Sequence, residues 1–188
     1  MDPLQRIHPS AWIAPSALLS GAVEIGADVS VWHNAVMRAE CCEISVGRMT
    51  NIQDFVMIHV GFDWPTRVGE FCSITHHATV HGATIEDHCL VGINAVVMDG
   101  AVIGRGSIVG GGAVVPEGRS FPPGSVIAGV PAQVIAQRDG ARANRLNAWV
   151  YHRNAERTRA GDQRAWTGEE YAGWLAQKTA EIERDADL

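Results

Sequence analysis

Three histidines, His59, His76 and His81, fall within a run of six-residue repeats. Neutral imidazole is the commonest protein ligand for zinc. Three nitrogen ligands leave a fourth coordination position open for water, the arrangement of a catalytic rather than a structural zinc site. Taken singly, each of these histidines is adequately explained as a corner residue hydrogen-bonded to backbone. Taken together on one repetitive scaffold, they point to a metal. His8, His33, His88 and His152 have no such company and read as solvated or hydrogen-bonded surface residues. His77 competes with His76, but the one-residue offset turns its side chain to the other side of a strand.

Spacing decides how the three can meet. His76 and His81 are five residues apart in T-H-H-A-T-V-H-G. An extended chain covers at most about 3.3–3.6 Å per residue, and here a corner intervenes. The two should point from different faces of one coil, so one subunit is not expected to bring both to one metal. His59 and His81 are 22 residues apart. A coil of three six-residue faces takes about eighteen, and G-F-D-W-P-T-R absorbs the excess as a loop. These two therefore stack on adjacent coils of one face. Three subunits around a threefold axis would let His76 of one approach His59 and His81 of the next, which makes three identical sites through a heterologous interface.

Other polar groups lie close in sequence. Asn51, Gln53 and Asp54 stand in R-M-T-N-I-Q-D-F, one hexapeptide before His59. Arg38 and Glu40 stand in M-R-A-E on the preceding coil. Arg38 is able to pair bidentately with Asp54 or Glu40. A subunit-interface ion pair explains Arg38 and Glu40 as well as a catalytic role does.

The scaffold that must carry these groups is visible as a repeat. Ile85, Val91, Val97, Ile103, Val109 and Val115 follow one another every sixth residue. Cys89, Ala95, Ala101, Ser107 and Ala113 come four residues after each of the first five. The same step links Ile25 to Val31, Val46 to Ile52 to Ile58, and Val68 to Ile74 to Val80, with a one-residue slip between Val80 and Ile85. A period of six is neither 3.6 nor 2, so neither a single helix nor a plain strand explains it. It fits a parallel β-helix with three flat faces, an aliphatic pointing inward on each. Gly, Asn and Asp suit the turns between faces.

Phe121–Ile135 reads as the last coil and its closure. From Gln137 onward Val and Ile nearly vanish. The chain accordingly divides into a β-helix domain at 1–136 and a helical extension at 137–188. Asn144 to Arg159 and Thr167 to Arg184 are predicted as helices. Thr167 with Glu170 makes a capping-box pattern for the second, and Trp149, Trp166 and Trp174 are expected to anchor the helices on the β-helix or on a neighbouring subunit.

The 188 residues suffice for a full core, and a net charge of −6 without a basic patch argues against nucleic acid. The first residues lack the charged and apolar regions of a signal peptide. No stretch approaches the roughly 18 apolar residues of a membrane span, so a cytoplasmic protein is expected. The four cysteines, Cys41, Cys42, Cys72 and Cys89, form no C-x-x-C pair. Cys72 and Cys89 read as packed inside coils, and a redox or metal role for Cys41–Cys42 stays open.

The combination of Arg38-x-Glu40, N-I-Q-D, His59, and His76-x4-His81 followed by Gly82 resembles the γ-class carbonic anhydrases and their relatives, over roughly Ile7 to Arg138. The resemblance implies a left-handed β-helix and a homotrimer with zinc, or another divalent metal such as Fe2+ or Co2+, between subunits. It matches His59 and His81 with two ligands from one subunit and His76 with the ligand from its neighbour. It matches Gln53 with the glutamine that hydrogen-bonds solvent at the metal, and Arg38 and Asp54 with the inter-subunit pair near bicarbonate. The implied reaction is reversible hydration of CO2. Three departures stand out: Arg38-Ala39-Glu40 replaces R-G-D, the long acidic loop of the founding enzyme is absent although Asp63 remains, and Trp149 and Tyr151 both compete for the place of an active-site tyrosine. Thioester hydrolysis, acyl transfer from acetyl-CoA and an inert metal-stabilised trimer are the alternatives on this scaffold.

Overall fold

A computed structural model describes residues 4–186 and 188. The strands are β1 (Arg6–Ile7), β2 (Trp12–Ile13), β3 (Leu18–Ile25), β4 (Ser30–Val31), β5 (Val36–Val46), β6 (Asn51–Ile52) and β7 (Met57–His59). There follow β8 (Thr66–Val68), β9 (Ser73–Ile74), β10 (Thr79–His81), β11 (Thr84–Ile85), β12 (Leu90–Val91) and β13 (Val96–Val97). The last are β14 (Val102–Ile103), β15 (Ile108–Val109), β16 (Val114–Val115), β17 (Ser120–Phe121), β18 (Ser125–Gly129) and β19 (Ala132–Gln137), before helices α1 (Ala141–Arg159) and α2 (Gly168–Glu183).

Successive short strands turn a corner instead of pairing with each other. Each pairs in parallel with the strand one coil away, as Val96–Val97 does with Val114–Val115. The result is a β-helix of three faces. The six-residue aliphatics all point inward: Ile85, Val91, Val97, Ile103, Val109 and Val115 are at most 1% exposed. The small residues at the fourth position beyond them are buried too. Several non-glycine corner residues, including Asp28, Asn34, His77, His88 and Asn94, sit at φ near +60°. Asn and Asp tolerate that conformation best.

The outward residues give each face its character. The second face presents Arg6, Glu24, Ser45, Arg67, Thr84, Val102 and Ser120 in register, a polar surface with ion pairs such as Arg6–Glu24 at 2.6 Å. The third presents Trp12, Ser30, Asn51 and Ser73, and α1 lies across it. The first presents Leu18, Val36, Met57, Thr79, Val96 and Val114 in one column. That column is almost wholly apolar, and no element of the described chain covers it.

The phase slip after Val80 is absorbed at the corner of Gly82, whose φ is +57°. The loop read from G-F-D-W-P-T-R is shorter than its motif, because Thr66 and Arg67 already belong to β8. It is matched by a bulge in β5. Between the pairs Ala39↔Gly21 and Ile44↔Val23, residues 40–43 face Ala22 alone. The segment from Ser125 closes the coil as a hairpin, with β19 antiparallel to β18.

Helix α1 starts a turn earlier than expected, at Ala141, where Asp139 Oδ1 accepts the Ala141 N–H at 2.9 Å. Its buried residues, Ala141, Asn144, Ala148, Tyr151 and Ala155, recur every three or four positions, the stripe of a helix docked on one side. The capping box does not form. Thr167 Oγ1 donates to the Arg164 carbonyl, while Glu170 pairs with Arg153 and Arg157. Nor do the three tryptophans anchor the helices on the coil. Trp149 lies between the cations of Arg145 and Lys178, and the Arg153 guanidinium lies over Trp174, so both serve the contact between the two helices, while Trp166 packs edge-on against Tyr151. Tyr151 makes the anchor instead, edge-on to Trp32, which meets Trp12 in the same way.

Candidate metal centre

His59 closes β7 and His81 closes β10. The two strands pair with His59 opposite His81, and Arg38 of β5 lies opposite His59. Inward Ile58 and Val80, both fully buried, fix which way their neighbours point: the histidines on the following position face outward at the edge of the first face. His59 Nδ1 and His81 Nε2 approach to 2.9 Å. Two nitrogens bound tetrahedrally to one zinc at about 2.0–2.1 Å stand roughly 3.3 Å apart.

Each ring nitrogen on the far side meets a carboxylate. His59 Nε2 lies 2.9 Å from Glu40 Oε2, and His81 Nδ1 bonds Asp99. Three contacts thus run in a chain, Glu40–His59–His81–Asp99, and each needs one proton. Two neutral imidazoles supply two. If both donate to their carboxylates, as an imidazole beside a metal commonly does, two lone pairs face each other between the rings. A third proton, or a metal ion in its place, is then required there. A proton is disfavoured on His59, whose pKa is lowered by burial first and then by the Arg38 guanidinium and His81. The donor set therefore fits a divalent cation, which prefers neutral imidazole nitrogen.

Arg38 pairs within the chain with Glu40. Asp54, the other partner considered for it, instead lies 3.1 Å from His76 Nδ1. His76 sits on the turn between β9 and β10, at the edge of the first face opposite to His59 and His81. Its Nε2 is 3.4 Å from the Tyr151 hydroxyl. That contact separates Tyr151 from Trp149, which faces α2. Burial, with Asp54 next, pushes the Tyr151 phenol up to about 12, so it stays a proton donor. Gln53 is buried beside β6, and its amide donates to Asn51 Oδ1 at 2.8 Å. Asn51 in turn donates to Ser73 Oγ. His77 is exposed and stacks on Phe55. Among the described residues of one chain, no three His, Cys, Asp or Glu side chains converge on a common point. His59 and His81 come together; His76 does not join them.

One of these positions was missed in the sequence. Asp99 stands eighteen residues after His81, one coil further on, and that register was the available signal. A β-carbon on Gly82 would overlap Asp99 Oδ1 and come within 2.9 Å of the Trp64 β-carbon, so Gly82 leaves room for the carboxylate. His88 corrects the surface reading given above. It is 8% exposed, stacks on Phe71, and its Nδ1 is buried without a partner.

A family model described as bacterial transferase hexapeptide (six repeats) matches residues 82–117. Over 131 residues the chain is 50% identical to a probable carbonic anhydrase of Methanocaldococcus jannaschii, covering 70% of this chain and 82% of that protein. It is 37% identical over 138 residues to the mitochondrial γ-carbonic anhydrase 2 of Arabidopsis thaliana, covering 70% of this chain and about half, 50%, of the plant protein. Among solved structures, a hexapeptide transferase family protein from Anaplasma phagocytophilum superposes with a TM-score of 0.77 at 30% identity, over 81% of this chain and 91% of that one.

Proposed function

Because the chain belongs to the γ-carbonic anhydrase family of hexapeptide-repeat β-helix proteins, we propose that it catalyses reversible hydration of CO2 to bicarbonate. The site lies between the subunits of a homotrimer, where His59 and His81 of one chain and His76 of the next hold a divalent metal, zinc in the first instance. The observation that carries this reading is the Glu40–His59–His81–Asp99 chain, in which two imidazole nitrogens face each other at 2.9 Å with a carboxylate behind each ring.

The first face supports the trimer. It is apolar and uncovered, with His76 on one edge and the His59–His81 pair on the other. When such faces pack around a threefold axis, one edge of each meets the opposite edge of its neighbour. The four unpaired thiols suit a reducing compartment such as the cytoplasm.

When bound, zinc supplies the Lewis acidity that makes water acidic near neutral pH. The chain supplies the rest. Glu40 and Asp99 fix the tautomers of the two histidines. Gln53, held by Asn51, presents a fixed amide to the reacting solvent. The guanidinium of Arg38 offers the planar fork that binds a carboxylate-like bicarbonate, and Asp54 orients it across the interface. Tyr151, protonated throughout the working range, donates toward the same place from beside His76.

Metal analysis of the purified protein together with stopped-flow CO2 hydration tests this. One divalent metal per chain and a hydration rate abolished by His76→Ala are expected. A metal-bearing trimer with no rate above buffer sinks the reaction. A protein purified without metal favours acyl transfer, the alternative on this scaffold, where the Anaplasma phagocytophilum relative is named a hexapeptide transferase family protein.

A further inference from the structure

We propose that Cys41 and Cys42 form a two-sulfur site for a soft, thiophilic d10 cation of the Cu(I) class, at the rim of the His59–His81 pair and distinct from it. The bulge in β5 creates the site. In a regular strand adjacent side chains point to opposite faces, and one of two adjacent cysteines would be buried. Here residues 40–43 swing out against Ala22 alone. Cys41 is exposed, and Cys42 is half-buried with one side against the edge of the core, the two thiols close enough to interact with each other. Both thiols lie along the same loop: Cys41 Sγ is 3.4 Å from the Gly61 carbonyl and Cys42 Sγ 3.6 Å from the Phe62 carbonyl. Thiols are weak donors, and these contacts leave the sulfur lone pairs free.

The geometry favours a metal ion over a disulfide. Glu40 and Glu43 flank the pair in sequence, and Asp63 acts on Cys42 through its charge. Burial first, then the Cys41 thiol and Asp63, pushes the Cys42 thiol up. A protonated thiol is a poor nucleophile, so attack on disulfides or peroxide is slow. A disulfide between the two is also disfavoured. Neighbouring α-carbons across a trans peptide are about 3.8 Å apart, short of the roughly 4.4–6.8 Å that disulfides span. A thiophilic ion needs no sulfur–sulfur bond: it displaces the two protons as it binds, so binding weakens as pH falls, and one Cu+ with two thiols gives one singly negative bis-thiolate complex and two H+. Thiolate sulfur selects Cu(I) over hard cations. The other two thiols, Cys72 and Cys89, are wholly buried in the core and offer no entry.

The test is anaerobic titration of the zinc-loaded full-length protein with Cu(I) against a chromophoric Cu(I) chelator. Sulfur-to-copper absorption in the ultraviolet and proton release are followed together. One Cu(I) per chain and two protons are expected, with affinity reduced roughly tenfold or more in both Cys41→Ser and Cys42→Ser. Affinity unchanged in His81→Ala locates the ion at the thiols even if the histidines hold no metal, so failure here and failure of the hydration reading are separable. Unchanged binding in the double serine variant, or none in the wild type, overturns the proposal.

Discussion

Two carboxylates that touch no substrate decide how well the histidines can serve. Asp99 holds His81 Nδ1, so His81 presents Nε2 toward His59. Removing such an orienting partner typically costs 10–100-fold in metal affinity. Asp99→Asn should therefore weaken zinc binding by about tenfold, read by chelator competition, while circular dichroism stays that of the wild type. Gly82→Ala should do the same without touching a polar group, because its β-carbon drives Asp99 off His81. It should also lower stability by about 1–2 kcal/mol, since alanine at the φ of +57° found there is strained. Zinc affinity equal to wild type in both variants would remove Asp99 from the site. Glu40 has the corresponding place on His59 Nε2. In sequence it read as a partner for Arg38 and a lengthened substitute for an aspartate, because neither its bond to His59 nor the bulge that allows it leaves any mark on the six-residue period.

Helix α1 carries Tyr151 to His76, and it is docked over a histidine that has to remain neutral. His88 lies under the helix, and its carbonyl accepts from Asn144 Nδ2 at 2.7 Å. Burial first, then the cations of Arg105 and Arg145, lowers its pKa to about 4, against the pull of Asp87 and Asp139. The unfolded chain takes up a proton near pH 6.5 and the folded chain does not. This group therefore costs nothing above pH 6.5, and stability falls as pH drops from there to about 4, by at most about 3 kcal/mol. His88→Asn keeps a residue that tolerates the left-handed corner. Urea unfolding at pH 7.5 and pH 5 should show a smaller acid loss in the variant than in the wild type; equal losses would dismiss His88 as the cause. The sequence revealed the coils and both helices because an inward aliphatic every sixth residue and a helix stripe are periodic signals. It misplaced the helix anchors because tryptophan is large wherever it stands. Only the register of α1 on the third face shows that Tyr151, and not Trp149, reaches Trp32 and His76.

The three faces of the coil are chemically unlike, and that difference organises the molecule. One is charged, one is covered by α1, and the first is apolar with no element of the described residues over it. A column of Leu18, Val36, Met57, Val96 and Val114 left in water forfeits roughly 25 cal/mol for each Å2 of apolar surface not buried, and it lies between His76 on one edge and the His59–His81 pair on the other. Assembly and metal binding should then be one event. A charge at mid-column separates this from a metal that binds a lone chain: Val96 is outward on β13, far from any ligand in sequence, and Val96→Arg leaves the inward Val97 untouched. The expected outcome is a folded protein, with unchanged β circular dichroism, that elutes as a monomer in light-scattering chromatography. Its zinc should fall in proportion, because His76 no longer meets His59 and His81. A Val96→Arg protein that remains trimeric would place the interface on another face. One that is monomeric yet holds a full zinc complement would show that the His59–His81 pair, with Glu40 and Asp99 behind it, suffices without a neighbour.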